Sequence, residues 1–286
     1  MAKRNFINDT DRRRADQLST RLSNVNLDGA EAFGADVLDV INFEEWREAA
    51  QEVVDPDVAR TALYYGFQPL YDALIGDTLQ GDARASALKT LDRLVQFGSA
   101  FLLSYYQGEP DMRLFREGTA SLDGELALMD GTPYQTKHRN IDSNHIYPRD
   151  IQHFMLSYLT HVAEGKTPMP QTVVGCACGS SEIVMPFAAM INANLYMIRR
   201  SWRRGDDSPR IVSEHRDTIA KGVKGKHVVA VEDYVCSGYS LRRVMEYAFE
   251  RSPTHLIGAS LNCVGMHALN HKVSKSKFHL YTLGRR

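Results

Sequence analysis

Lys226-His-Val-Val-Ala-Val-Glu-Asp-Tyr-Val-Cys-Ser-Gly-Tyr-Ser-Leu241 is the run on which the reading of this chain turns. Its four apolar residues, 228–231, read as a short buried strand. Glu232 and Asp233 follow at the end of that strand, then a small-residue loop, then an amphipathic helix. A loop feeding a helix N-terminus offers unpaired backbone N–H groups and a favourable dipole to an anion. Two carboxylates just before it would repel a phosphate unless they served another part of the same ligand. A ligand with a phosphate at one end and a hydroxylated ring, or a metal, at the other fits that polarity. The plainer alternative is an ordinary strand-turn-helix whose Glu-Asp pair caps the helix.

Outward from this run, strand and helix patterns alternate. Residues 172–178, 195–199, 228–231, 255–261 and 278–283 read as strands, and residues 182–192 and 240–250 as helices. Such alternation implies a mostly parallel sheet with crossover helices. Ligands on such sheets bind beyond the carboxyl ends of the strands, which places the loops after Cys178, Arg199 and Val231 around one crevice. Ile151, Phe154, Met155, Tyr158, Leu159 and Val162 form the apolar face of a helix leading into the alternation.

Upstream the pattern is helical over residues 43–107, with Leu88, Leu91, Val95, Gly98 and Leu102 at helical spacing. Asp55-Pro56 is a helix start, and Pro69 divides that helix from another over residues 70–74. Residues 111–150 are polar and aperiodic and read as a long loop, with a hairpin around Asp130-Gly131. The first dozen residues, with Arg12, Arg13 and Arg14, read as a mobile or surface-lying start. The expected architecture is α/β: a mainly helical region over residues 1–147, then a mostly parallel sheet with flanking helices over residues 148–286.

The chain has 286 residues, 43% apolar and 24% charged, as in ordinary globular proteins. Its net charge of −1 gives no overall basic field to recruit nucleic acid, although local patches leave that contact open. The N-terminus has no apolar leader pattern and no run approaches membrane-spanning length, so a cytoplasmic location is expected. Cys176 and Cys178 would share one strand face. No second Cys/His pair stands at zinc-site spacing, so the cysteines read as reduced, mostly buried thiols. The scattered histidines, His138, His145 and His153 among them, read as surface or capping residues.

Residues 228–240 resemble the ribose-phosphate signature of the type I phosphoribosyltransferases: four hydrophobics, two acids, then a loop containing Ser/Thr-Gly-x-Ser/Thr. The resemblance implies transfer of a phosphoribosyl group from 5-phosphoribosyl-1-pyrophosphate (PRPP) to a base nitrogen, with release of pyrophosphate. It implies that the 5-phosphate sits on Cys236, Ser237, Gly238, Tyr239 and Ser240. Glu232 and Asp233 would hold the ribose hydroxyls and favour a cationic sugar. Mg²⁺ would bridge ribose and pyrophosphate oxygens with no direct protein ligand assigned. Pyrophosphate would meet the loop Cys178, Gly179, Ser180 and Ser181. Arginines at the second strand end, Arg199, Arg200 and Arg203, would join it; a solvated basic loop is the alternative there. Residues 206–224 would form a polar flexible lid, with His215 the loop candidate. A nucleophile role for Ser181 fails because Ile183 stands where a nucleophile elbow needs glycine.

Where related enzymes that use 6-oxopurines carry Asp, this chain has Cys236, which argues against a 6-oxopurine acceptor; a pyrimidine-type acceptor is slightly preferred. Tyr239 replaces a smaller residue and must either leave the phosphate cradle or cover the ligand. The family's variable hood, which sets base specificity, would come from the N-terminal region or the tail, residues 267–286. The resemblance also implies a homodimer. Two alternatives keep the same donor site: a non-catalytic sensor of PRPP or nucleotides, and an effector that depletes nucleotides.

Overall fold

The computed structural model describes residues 8–27, 30, 43–76, 79–122, 147–177, 179–199, 208–235, 238–263, 269–272 and 279–283. Its centre is a six-stranded sheet in the spatial order β2-β1-β3-β4-β6-β5. The strands are β1 (Thr172–Ala177), β2 (Asn194–Arg199), β3 (His227–Val235), β4 (His255–Cys263), β5 (Leu269–Lys272) and β6 (His279–Leu283). The first four run parallel, and β6 and β5 extend the sheet antiparallel beyond β4. The parallel part matches the expected α/β architecture.

Strand alternation divides the apolar residues between two faces. Val173, Met197, Val229, Val231, Ile257 and Ala259 join one buried cluster, while Val174, Cys176, Ile198, Val228 and Ala230 join the other. The second face is covered by α8 (Arg216–Val223), through Ile219 and Val223, and by α9 (Tyr239–Phe249), through Leu241, Val244, Met245 and Ala248.

The first face carries two layers of helix. Next to the sheet lies α7 (Ser181–Ile191), whose Ile183, Val184, Met185, Phe187, Ala188, Met190 and Ile191 are all buried. A helix apolar all round belongs in the interior. Its outer side is covered by α3 (Pro56–Ile75) and α4 (Gly81–Tyr106), so the upstream helices share one apolar core with the sheet. The helix α6 (Pro148–Ala163) packs against β4, and all six residues of its expected apolar face are buried. On α6 lies α1 (Asp9–Ser23), where Gln152 Nε2 donates 2.8 Å bonds to the carbonyls of Leu22 and Val25.

Four expectations need correction. Arg12, Arg13 and Arg14 stand in an ordered helix, α1, capped by the Asn8 side chain on the Asp11 amide at 2.7 Å. Its apolar contacts, Ala15 and Leu22, are too few to show as a period. Pro69 does not divide a helix: α3 runs through it, the lost amide donor being outweighed by burial of Phe67, Leu70, Tyr71 and Leu74. Asp55 caps α3 as its sequence suggests, accepting from the Asp57 and Val58 amides at 2.7 and 3.3 Å. Within the expected loop 111–150, Met112–Ala120 forms α5, nucleated by Asp111 accepting from the Leu114 amide at 3.0 Å and anchored by buried Phe115. The proposed hairpin at Asp130 lies outside the described residues. The expected lid is folded over its described part, with a 3-10 turn at Ser213–His215 continuing into α8.

The helix α2 (Phe43–Glu52) is pinned by Trp46, whose indole Nε1 donates 2.8 Å to the Ala62 carbonyl of α3. Gly66 lies under the ring, where any Cβ would collide with it.

Candidate active site

The parallel ladder opens at one place. Pairing of β1 with β3 ends at Gly175 and Val231, while β1 stays with β2 as far as Ala177 and Arg199. Likewise β3 stays with β4 as far as Val235 and Cys263. The crevice between β1 and β3 is also the point where strand order reverses, since β2 lies to one side of β1 and β3 to the other. Open α/β sheets bind ligands at such a switch point.

Glu232 and Asp233 border this crevice, but they lie within β3 rather than beyond it, because the strand runs four residues past Val231. Glu232 is paired in register with buried Ser260 of β4. Strand alternation sends the two carboxylates to opposite faces. Asp233 follows Val229 and Val231 towards the α7 side and faces Gly179 there. Glu232 follows Ala230 towards the face of Cys176. Burial pushes the Cys176 thiol well above its ordinary range, and the negative charge of Glu232 and then of Asp233 adds to the rise. Cys176 is free and buried, as expected.

The short connection after β1 brings Gly179 so close that a Cβ there would stand 2.5–2.6 Å from the Asp233 carboxylate atoms. Only glycine leaves this carboxylate its place. Buried Ser180 stands just before α7 and donates from Oγ to the Cys176 carbonyl at 2.9 Å, closing the loop on its own strand. Buried Ser181 opens the helix. Cys178 lies outside the described residues.

On the other side of the crevice, Gly238 caps α9 with φ 77°, the left-handed conformation that glycine adopts readily. Its carbonyl accepts from the Arg242 amide at 2.9 Å, so the helix begins at once. Tyr239 is 45% exposed and Ser240 half-buried, which leaves the aromatic ring outside the cradle or over its mouth. Cys236 and Ser237 lie outside the described residues.

At the end of β2, Arg199 is buried and its guanidinium pairs with Asp72 of α3. The sequence reading assigns Arg199 to pyrophosphate; here its guanidinium is engaged by a carboxylate of the same chain. Its backbone forms a two-way bridge with Arg210 at 2.8 and 2.6 Å. The Tyr71 hydroxyl, also on α3, donates to the Met197 carbonyl at 2.6 Å. Arg200 and Arg203 lie outside the described residues. His215 lies in the 3-10 turn, 3.6 Å from Asp92 of α4. The same turn is held by Arg84, which donates to both Glu214 oxygens at 2.6 and 2.9 Å and to Ser213 Oγ at 2.9 Å. That fork keeps the Glu214 carboxyl down at about 2.

A buried charge pair unannounced by any motif lies beside Ser181. Glu182 of α7 pairs with Arg60 of α3, and the Tyr106 hydroxyl of α4 donates to the same Glu182 oxygen at 3.2 Å. Burial pushes the Glu182 carboxyl up to about 7, although Arg60 pulls it down. The available signal was a single charge set into an apolar stretch: Glu182 before Ile183-Val-Met, and Arg60 within Ala59-Arg-Thr-Ala-Leu63. Charges that enter a core come with partners.

Among the described residues no helix is long and apolar enough to cross a membrane. No curated protein and no solved structure matches the chain. A model of the phosphoribosyl transferase domain matches residues 138–282, a span holding the crevice, both acids and the loops on either side. The signature on β3, the switch-point crevice and that match agree: the chain belongs to the phosphoribosyl transferase family.

Proposed function

We propose that this protein transfers the 5-phosphoribosyl group of PRPP to a ring nitrogen of a nucleobase or related heterocycle, of pyrimidine type. The bond from C1 to pyrophosphate breaks with its electron pair leaving on pyrophosphate. The acceptor nitrogen's lone pair forms the new C–N bond, and the nitrogen's proton leaves to solvent. The observation that carries this reading is the parting of β1 and β3, which sets Gly179 and Asp233 face to face across the switch-point crevice.

In this reading the amides of residues 236–240 bind the 5-phosphate at the N-terminus of α9. Glu232 and Asp233 hold the ribose hydroxyls from the two faces of the sheet, and their charge favours positive character at C1. Residues 178–181 receive pyrophosphate, joined by Arg200 and Arg203. Glu232 and Asp233 would stand beside Mg²⁺, a hard cation suited to oxygen ligands, which would supply charge neutralisation for the departing pyrophosphate. The catalytic unit is residues 148–286 and acts in the cytoplasm as a homodimer.

Calorimetry with PRPP and Mg²⁺ tests the donor site: saturable binding is expected for the wild type, and loss of it for Glu232→Gln with Asp233→Asn. Absence of binding, or binding that ignores both substitutions, overturns the reading. Gly179→Ala is expected to weaken PRPP roughly 10- to 100-fold, since the new methyl displaces the Asp233 carboxylate and small misplacements at a reacting centre carry such losses. An unaltered affinity would show that Asp233 has room to spare.

The engagement of Arg199 by Asp72 favours a second reading, a regulator that binds PRPP without chemistry. A screen of bases for pyrophosphate release separates the two. Turnover with any base removes the regulator, and tight binding without release removes the transferase.

A further inference from the structure

The two loops assigned to pyrophosphate leave the sheet side by side, because Ala177 and Arg199 are paired in the β1–β2 ladder. The residues flanking them, Glu182 and Arg199, are both held by one helix that lies outside the family match. Near the start of α3, Arg60 pairs with Glu182, the residue following Ser181. Near its end, Asp72 pairs with Arg199, the last residue of β2. The first grip is buried, Arg60 and Glu182 being 1% and 2% exposed; the second is part-buried, with Arg199 at 7% and Asp72 at 14%. Between them the Tyr71 hydroxyl holds the Met197 carbonyl of the same strand.

Stability alone is a poor explanation for charges in these positions. A buried ion pair is often no better than apolar residues of similar volume, since desolvation consumes the Coulombic gain. Glu182 is also incompletely satisfied, its Oε2 having no hydrogen-bond partner among the described residues. What the pairs do fix is position. A directed N–H donor on a carboxylate oxygen constrains angle as well as distance, which apolar contacts do not.

We propose that α3 is a clamp that preorganises the pyrophosphate half of the donor site, with Arg60 and Asp72 as positioning residues acting through Glu182 and Arg199. The inference rests on the assignment of residues 178–181 and the β2 end to pyrophosphate. The described part of the phosphate half, Gly238 and the start of α9, lies on the other side of the crevice and receives neither grip. The clamp therefore predicts a selective effect: loosening α3 weakens binding of pyrophosphate and spares binding of the sugar phosphate.

The test is calorimetry on the full chain with three probes, Mg²⁺-pyrophosphate, PRPP and ribose 5-phosphate, alongside thermal unfolding. The variants are Asp72→Asn and Arg60→Lys; the second keeps the charge and loses the planar fork. Ile151→Val, in the core of α6, serves as a control for general loosening. Pyrophosphate and PRPP are expected to weaken at least about fivefold in both clamp variants, within the range of coupling through packed elements, while ribose 5-phosphate and the control stay unchanged. Equal weakening of all three probes, or unaltered affinities for pyrophosphate and PRPP, overturns the clamp. Failure of the wild type to bind PRPP would instead overturn the donor-site reading on which the clamp rests. Should one clamp variant not fold, the other decides the outcome.

Discussion

Arg60→Met is expected to destabilise the protein by about 3–5 kcal/mol at pH 8, because it strands a carboxylate in the core. Glu182 is 2% exposed, and burial already lifts its carboxyl to about 7 against the pull of Arg60. Without that pull the folded value rises further. A carboxyl raised on folding contributes stability that is complete below the unfolded value, about 4.3, and is lost as pH climbs through the folded value. In the wild type that loss is spread over the interval from about 4.3 to about 7. In the variant it continues above 7, at up to about 1.4 kcal/mol per pH unit. The deficit relative to wild type therefore shrinks on acidification towards pH 5. Denaturant unfolding at pH 5, 6.5 and 8 measures this directly. The double variant Arg60→Met with Glu182→Leu should return to within about 2 kcal/mol of wild type and lose the pH trend, since neither charge is left to desolvate. A deficit in the single variant that is small or independent of pH would mean that water reaches Glu182.

The second large effect is expected at Trp46→Ala, with a loss of about 3–5 kcal/mol. The indole is 1% exposed, seated over Gly66, and its Nε1 holds the Ala62 carbonyl at 2.8 Å. Deleting it leaves a ring-sized void under α2 that the backbone of α3 cannot fill, since Gly66 brings no side chain to the gap. A reciprocal substitution, Gly66→Ala, overpacks the same contact and should cost about 1–3 kcal/mol. If Trp46→Ala costs under about 1 kcal/mol in equilibrium unfolding, α2 is not part of the cooperative unit.

The apolar strand runs and the acid-loop-helix order of residues 228–241 were legible because period, burial and turn chemistry agree there. The same holds for Asp55-Pro56, where cap and proline point the same way. Pro69 misled because tertiary burial on α3 overrode a local rule. The helix at Met112–Ala120 was hidden by having one strongly buried apolar residue, Phe115, and no repeat. The extra length of β3 was hidden by its own acids, which read as a strand end but remain in the ladder with β4. Least legible were the charge pairs. Arg60 and Glu182 are 122 positions apart, and Asp72 and Arg199 are 127 apart, so only tertiary packing brings them together. Asp72 as the neighbour of Arg199 could not be read from the sequence for the same reason.

The antiparallel pair at the far end of the sheet has a consequence for solubility. Were the sheet to stop at β4, its nine-residue strand would offer a long row of open backbone donors and acceptors to another chain. β6 occupies part of that row, pairing from Gly258 to Ser260, and passes the edge on to β5. β5 has four residues, a short edge that templates edge-to-edge aggregation poorly.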